Sequence, residues 1–287
     1  MKSYGSYFLS FICLIPLVTF SLESTTHTES ETSIVFKNNQ LPIDEYSFIF
    51  DKILKNVFTD FLKKNEGYYI TKTKHDFIFK DEFYDTKDYE LKLKDTYLRL
   101  RHRYKLETNK TISISDFLSQ KRPIRVEMQY KKIISYENNL IHAKEKRIDI
   151  TNEGPEEILH GRLLSDLGLS KDLLLTNFIK IFSLRRRYHI NKKTIYGTGE
   201  NPNHIFLVTL DYSFSYKNGV VSKPNIEIEV EIERNIRKTL DKKKLHLITK
   251  TLLHKTKHLS DHIRELIFKE GLTTYYSKKP KILLLEQ

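Results

Sequence analysis

"IEIEVEIER", Ile226 to Arg234, is the stretch on which the fold of this chain turns. Ile226, Ile228, Val230 and Ile232 alternate with Glu227, Glu229, Glu231 and Glu233. A period of two places the apolar residues on one face of a β-strand and the four carboxylates on the other. Carboxylates in such a row repel one another unless water, cations or metal ions offset the charge. The question is what the acidic face looks at.

Strands of the same construction stand upstream. In "TYLRLRHRYK", Arg99, Arg101 and Arg103 share a side. In "IRVEMQYKK", Arg125, Glu127, Gln129 and Lys131 do; in "SLRRRYH", Ser183, Arg185 and Arg187; in "FLVTLDY", Thr209 and Asp211. Leu98, Leu100, Val126, Met128, Leu210, Ile228 and Val230 occupy the opposite faces. An antiparallel sheet with one wet face accounts for any one of these strands. Five strands with the same segregation also fit a barrel whose charged faces meet across a wet lumen. There, guanidinium forks suit phosphate oxygens, and carboxylates suit the hard cations Mg²⁺ and Mn²⁺.

Helical periodicity brackets these strands. "LPIDEYSFIFDKILKNVFTDFLKKNEG" carries Tyr46, Ile49, Phe50, Ile53, Leu54, Val57, Phe58, Phe61 and Leu62 at helical spacing, with Pro42 near its start and Gly67 at its close. "NEGPEEILHGRLLSDLGL" and the basic stretch from Lys238 to Lys269 read as helices too. Asn218-Gly219 signals a hairpin. The expected class is α+β: an antiparallel eight-stranded β-barrel with flanking helices.

The 287 residues, 39% hydrophobic and 30% charged, suffice for one large folded domain. A formal net charge of +12 favours anionic partners. Residues 1–24 combine a basic Lys2 with an apolar run from Tyr7 to Leu22 and read as a signal peptide or N-terminal anchor. The expected localisation is therefore exported, in a periplasm, in the cell envelope or secreted, and membrane-anchored if that segment is not cleaved. Cys13, the only cysteine, lies inside the run, so the mature chain has no disulfide. Residues 25–33, polar throughout, read as a flexible leader, and residues 271–287 as a C-terminal extension.

Glu82 to Tyr104, "EFYDTKDYELKLKDTYLRLRHRY", resembles the tyrosine-aspartate-threonine and arginine-x-arginine signature of the triphosphate tunnel metalloenzymes, the CYTH and VTC domains. Tyr84, Asp85, Thr86, Asp88, Leu91, Leu98, Arg99 and Arg101 carry the match. "LRRRYHI", "FLVTLDYSF" and "IEIEVEIE" resemble later strands of VTC domains in the right order, and Thr256 to His258 a lysine element of the last helix. The tunnel domain would span 34–270. The resemblance implies an eight-stranded tunnel in which Lys37, Arg99, Arg101, Lys131, Arg185, Arg187 and Lys257 bind phosphate. Glu227, Glu229, Glu231 and Asp211 would bind Mg²⁺ or Mn²⁺. It implies a triphosphate, nucleotide or polyphosphate as partner. CYTH members open with a Glu-x-Glu-x-Lys strand; here the aligned positions read Ser33, Val35 and Lys37, with both glutamates missing.

No P-loop, nucleophile elbow, paired-histidine zinc motif or EF-hand loop is present. His254, His258 and His262 fall on one helix face, which reads as solvated before it reads as a metal site. Nucleic acid is set aside because no aromatic platform accompanies the basic residues; an anionic membrane surface stays open, as does the oligomeric state. Three functions fit: a metal-dependent phosphohydrolase or polyphosphate-processing enzyme, a polyanion-binding module without turnover, and a structural envelope protein.

Overall fold

A computed structural model describes residues 24–36, 43–65, 67–73, 75–106, 122–137, 139–152, 164–165, 168–170, 172–192, 204–217, 219–232 and 242–277. In chain order the elements are β1 (Ser24–Phe36), α1 (Ile43–Lys64), β2 (Tyr68–Lys72), β3 (Phe77–Asp85), α2 (Glu90–Leu93), β4 (Thr96–Lys105) and β5 (Arg125–Glu137). There follow β6 (Leu140–Asp149), β7 (Thr176–Lys192), β8 (His204–Lys217), β9 (Val220–Val221), β10 (Asn225–Ile232), α3 (Lys242–Lys269) and β11 (Thr274–Tyr276).

The strands hydrogen-bond in the order β7-β3-β4-β5-β6-β1-β10-β8, and β8 returns to β7. Eight antiparallel strands thus close on themselves, which leaves the barrel proper without an edge. β2, β9 and β11 extend it by pairing with β7, β8 and β1.

Closure explains the alternating sequence. The apolar faces of β1, β7, β8 and β10 point outward and are covered by the two long helices. Phe50, Ile53, Leu54, Val57, Phe58 and Phe61 of α1 and Leu252, Leu259, Ile263 and Ile267 of α3 pack with Ile34, Val208, Leu210, Ile228 and Val230 in one buried cluster. Each such side chain contributes roughly 1.5–3 kcal/mol on burial. A second cluster, with Leu98, Leu100, Met128 and Ile148, covers the outside of β4, β5 and β6. Most of the core therefore lies outside the barrel wall, and the charged faces share the inside with one smaller cluster of Phe83, Tyr97, Ile179 and Ile181.

β1 corrects the expected organisation. Residues 25–33 are strand and not a flexible leader, and they belong to the barrel wall. β1 lies between β6 and β10, with Glu31 opposite Ile141 on one side and Glu231 on the other. It escaped recognition because much of it alternates polar with polar. Glu29, Glu31 and Ser33 face the lumen, while outward Ser30 bonds His142 and outward Thr32 bonds Ser260 of α3. Residues 24–33 have no apolar face, so that part of the strand offers no hydrophobic period to read. The C-terminal extension is corrected in the same way, since Thr274–Tyr276 pairs with Ile34–Phe36.

The helix expected before Gly67 is α1, and Gly67 adopts the left-handed φ of 81° that ends it. The basic helix is α3, and residues 238–241 of the expected stretch lie outside the described residues. Residues 1–23, Lys37 and most of the helix expected near Gly154 lie outside them as well. Among the described residues no helix is long and apolar enough to cross a membrane.

Candidate functional site: a charged tunnel

The inward faces of seven of the eight barrel strands line one cavity. β1 supplies Glu29, Glu31 and Ser33, and β10 supplies Glu227, Glu229 and Glu231. Facing them are Arg99 and Arg101 from β4, Gln129 and Lys131 from β5, Glu145 and Arg147 from β6, and Arg185 from β7. Phe83, Tyr97, Ile133 and Ile141 form an apolar part of the wall. The acidic stretch of β10 thus looks into a tunnel at arginines and lysines.

Register places each pair. Arg185 stands opposite Asp211 across β7 and β8, and Glu227 opposite the same aspartate across β10 and β8. Arg185 donates from Nε to Asp211 Oδ1 at 2.6 Å, from Nη2 to Asp211 Oδ2, and from Nη2 to Glu229 Oε2 at 2.9 Å. Thr209 donates to Glu229 at 3.2 Å. Burial lowers the arginine's proton affinity, but Asp211 and Glu229 outweigh it and raise its pKa well above the usual value. Asp211, fully buried, is a wall residue held by Arg185 and not a loose support.

Asp81 anchors the other arginines. Arg101 donates to both its oxygens, at 2.7 and 2.6 Å, and Arg99 Nη1 reaches it at 3.2 Å while its Nε donates to Gln129 at 2.9 Å. Burial, with Arg101 beside it, lowers the Arg99 pKa to about 10 against the pull of Asp81 and Glu145. Lys131 bridges Glu29 at 3.0 Å and Glu31 at 2.6 Å. Burial holds the Glu31 carboxyl up at about 7 against Lys131, with Glu229, Glu29 and Glu231 adding to the shift. Arg147 reaches Glu145 at 2.5 Å and Glu29 at 3.4 Å.

Ligand oxygens of Asp211, Glu227 and Glu229 lie within 4.8 Å of one another. Three carboxylates are an all-oxygen donor set, which suits Mg²⁺ or Mn²⁺. Glu231 lines the cavity but stands outside this group.

The cavity lining brings together Arg99, Arg101, Lys131, Arg185, Glu227, Glu229 and Glu231, and Asp211 stands behind it, bonded to Arg185. Lys257 is corrected: it is exposed on α3, where Thr256, Leu259 and Ser260 are buried. Arg187 lies outside the cavity lining. The missing glutamates are corrected too. Glu29 and Glu31 stand in the lumen, and they complete the Glu-x-Glu-x pattern with Ser33, not lysine, at its end; Ser33 donates to Glu227 Oε1. Asp81, Glu145 and Arg147 were not foreseen. Asp81 shares its face with Phe77, Phe79 and Phe83, which marks that face as apolar. Glu145 and Arg147 sit on a strand with charge on both faces.

The CYTH domain family matches residues 53–259. The chain belongs to the CYTH domain family. Its closed eight-stranded barrel is the architecture that the resemblance implied. No curated protein matches the chain. Among solved structures it is similar to a Hippeastrum protein described as an adenylyl cyclase with a dominant triphosphatase activity, at 13% identity, 90% coverage of this chain, 95% of that one and a TM-score of 0.42. A protein of Pyrococcus horikoshii is similar at 18% identity, with 90% and 98% coverage and a TM-score of 0.44. The RNA triphosphatase Pct1 of S. pombe is similar at 12% identity, with 87% and 86% coverage and a TM-score of 0.34.

Proposed function

We propose that this CYTH protein is a divalent-cation-dependent phosphohydrolase acting on a triphosphate group, either inorganic or carried by a nucleotide. The observation that carries the reading is the convergence of two walls on one closed lumen. Arg99, Arg101, Lys131, Arg147 and Arg185 face Glu29, Glu31, Glu227, Glu229 and Glu231. The cations offer charge-assisted hydrogen bonds to phosphate oxygens. Asp211, Glu227 and Glu229 would hold Mg²⁺ or Mn²⁺, which supplies Lewis-acid polarisation of a phosphate oxygen when bound. Substrate would displace the internal pairs, so that Arg99 and Arg185 turn part of their donors from carboxylate to phosphate. Buried donors of this kind stabilise charge on the reacting phosphoryl group without reorganising at the moment of reaction.

A second reading, binding without turnover, is favoured by Ser33. A hydroxyl bonded to Glu227 stands where the family pattern has a lysine, so the lumen has one cation fewer. A colorimetric phosphate-release assay on triphosphate, ATP and polyphosphate with Mg²⁺ and Mn²⁺ separates the two. Release with any of them supports the enzyme; tight binding by calorimetry without release leaves the module. Absence of both overturns the tunnel function. Export is a further part of the proposal, supported by the apolar run from Tyr7 to Leu22.

A further inference from the structure

Beyond the cavity, the barrel wall holds a second pair of arginines that the phosphate site does not use. Arg103 lies one inward position further along β4 than Arg101, and Arg187 one further along β7 than Arg185. β3 runs between those two strands, and its Phe77 separates them. Arg103 Cζ sits 3.8 Å from the Phe77 ring centroid and Arg187 Cζ 5.4 Å from it, so both guanidinium groups converge on one ring. Arg187 is also 5.6 Å from Phe79.

Among the described residues neither arginine has the carboxylate partner that every lumen cation has. The Nε of each is buried without a hydrogen-bond acceptor among the described residues. The acids nearby are committed elsewhere. Glu127 accepts from Arg125 at 3.2 Å and from Gln129 at 3.0 Å, and Asp211 accepts from Arg185. Burial lowers the pKa of both, that of Arg187 to about 9, with Arg185, Arg103 and Arg101 adding to its shift. Buried donors without acceptors, beside like charges, are stabilised by an anion.

We propose that Arg103 and Arg187, clamped on Phe77, form a second oxyanion subsite that binds a phosphate group beyond the Arg101–Arg185 end of the tunnel. This rests on the triphosphate-tunnel reading only for the source of that group. It is either the terminal phosphoryl of a chain longer than triphosphate or free orthophosphate. The aromatic ring holds the two forks in place by cation–π contact, and a tetrahedral oxyanion offers each an acceptor.

The test measures binding to the full chain, to Arg103→Gln and to Arg187→Gln, with orthophosphate, triphosphate and tetraphosphate as separate probes in calorimetry and thermal shift. Stabilisation by orthophosphate alone that both variants lose supports the subsite and assigns it free phosphate. If orthophosphate is silent, tetraphosphate binding at least about tenfold tighter than triphosphate in the wild type, with Arg103→Gln abolishing the difference, supports it and assigns the chain end. No orthophosphate effect together with equal affinity for the two chains overturns it, and that comparison needs no variant. Each variant removes one of two repelling cations, so its melting temperature in anion-free buffer is expected not to fall. Failure of triphosphate to bind the wild type sinks the tunnel reading instead, and the orthophosphate arm still decides the subsite.

Discussion

Arg185 grips Asp211 through two of its nitrogens and reaches Glu229 with one of them, 2.9 Å away. One guanidinium therefore ties β7 to β8 and to β10, and it joins the basic wall to the candidate metal ligands. Its removal should act on stability and on binding alike. Arg185→Met takes the bidentate guanidinium from Asp211, which is fully buried, and is expected to cost about 3–5 kcal/mol. Adding Asp211→Leu removes the buried charge that lost its guanidinium and should recover most of that loss. Urea denaturation of the two variants measures the difference. Equal instability of single and double variants would show that the pair is not what stabilises the wall.

Arg99 and Arg101 differ in how they are held, so their substitutions should separate. Arg101 carries both hydrogen bonds to one face of Asp81, and Arg101→Ala is expected to destabilise by about 2–4 kcal/mol. Arg99→Ala leaves Asp81 with Arg101 and leaves Gln129 bonded to Glu127, so its cost should be about 1 kcal/mol. Its effect belongs to the ligand, with triphosphate affinity falling about tenfold to hundredfold. Calorimetry and thermal melts on both variants check the split.

What the sequence disclosed and what it hid have a common cause. β4, β7, β8 and β10 were legible as strands with a functional face because each sets charge against a clean apolar face that α1, α3 or the cluster around Leu98 covers. β1 was not, because polar outward groups such as Thr32 bond to Ser260 of α3 instead of packing. The lysine element failed for a related reason. On a helix the buried face is set by a few residues of register, and Thr256 and Ser260 took it from Lys257. Asp81 was hidden by the phenylalanines that share its face, of which Phe77 and Phe79 serve as cation–π platforms for Arg103 and Arg101.

Glu31 gives the tunnel a pH dependence. Its folded carboxyl titrates at about 7, above its unfolded value of 4.5, because burial and the neighbouring glutamates disfavour the charge. A carboxyl raised on folding destabilises the native state where it is ionised, above about pH 7, and has no effect where both states are protonated. Glu31→Gln is therefore expected to be stabilising at pH 8, on the order of 2 kcal/mol, and its advantage should shrink as pH falls from 7 towards 4.5. Denaturation of wild type and variant across that range follows the difference. An advantage that does not change with pH would mean that Glu31 is not the titrating group.

Asp211, Glu227 and Glu229 predict a cation site that phosphate completes. Three protein carboxylates leave coordination positions for substrate oxygens. Mn²⁺ and triphosphate together should raise the melting temperature by more than the sum of their separate effects, and Glu229→Gln should remove the excess. A thermal-shift series on the two proteins measures it. Additive effects in the wild type would separate the metal from the phosphate.

Ser33 offers the opposite experiment, a gain. Its hydroxyl lies in the cavity wall, 2% exposed, bonded to Glu227 and paired in register with Glu229. A lysine there would bring an ammonium to the acidic wall at the position where the family pattern places one. Two consequences follow from charge alone. The new cation would compete with the metal for Glu227 and Glu229, so Ser33→Lys should weaken Mn²⁺ binding in the absence of substrate. It would also face any phosphate in the lumen, so triphosphate binding without metal should tighten, by about tenfold if one charge-assisted hydrogen bond forms. Titrating triphosphate and Mn²⁺ separately into the variant reads both. If metal-free triphosphate binding is unchanged, the phosphate chain does not pass Ser33, and the substrate path runs along the Arg99, Arg101 and Arg185 side alone.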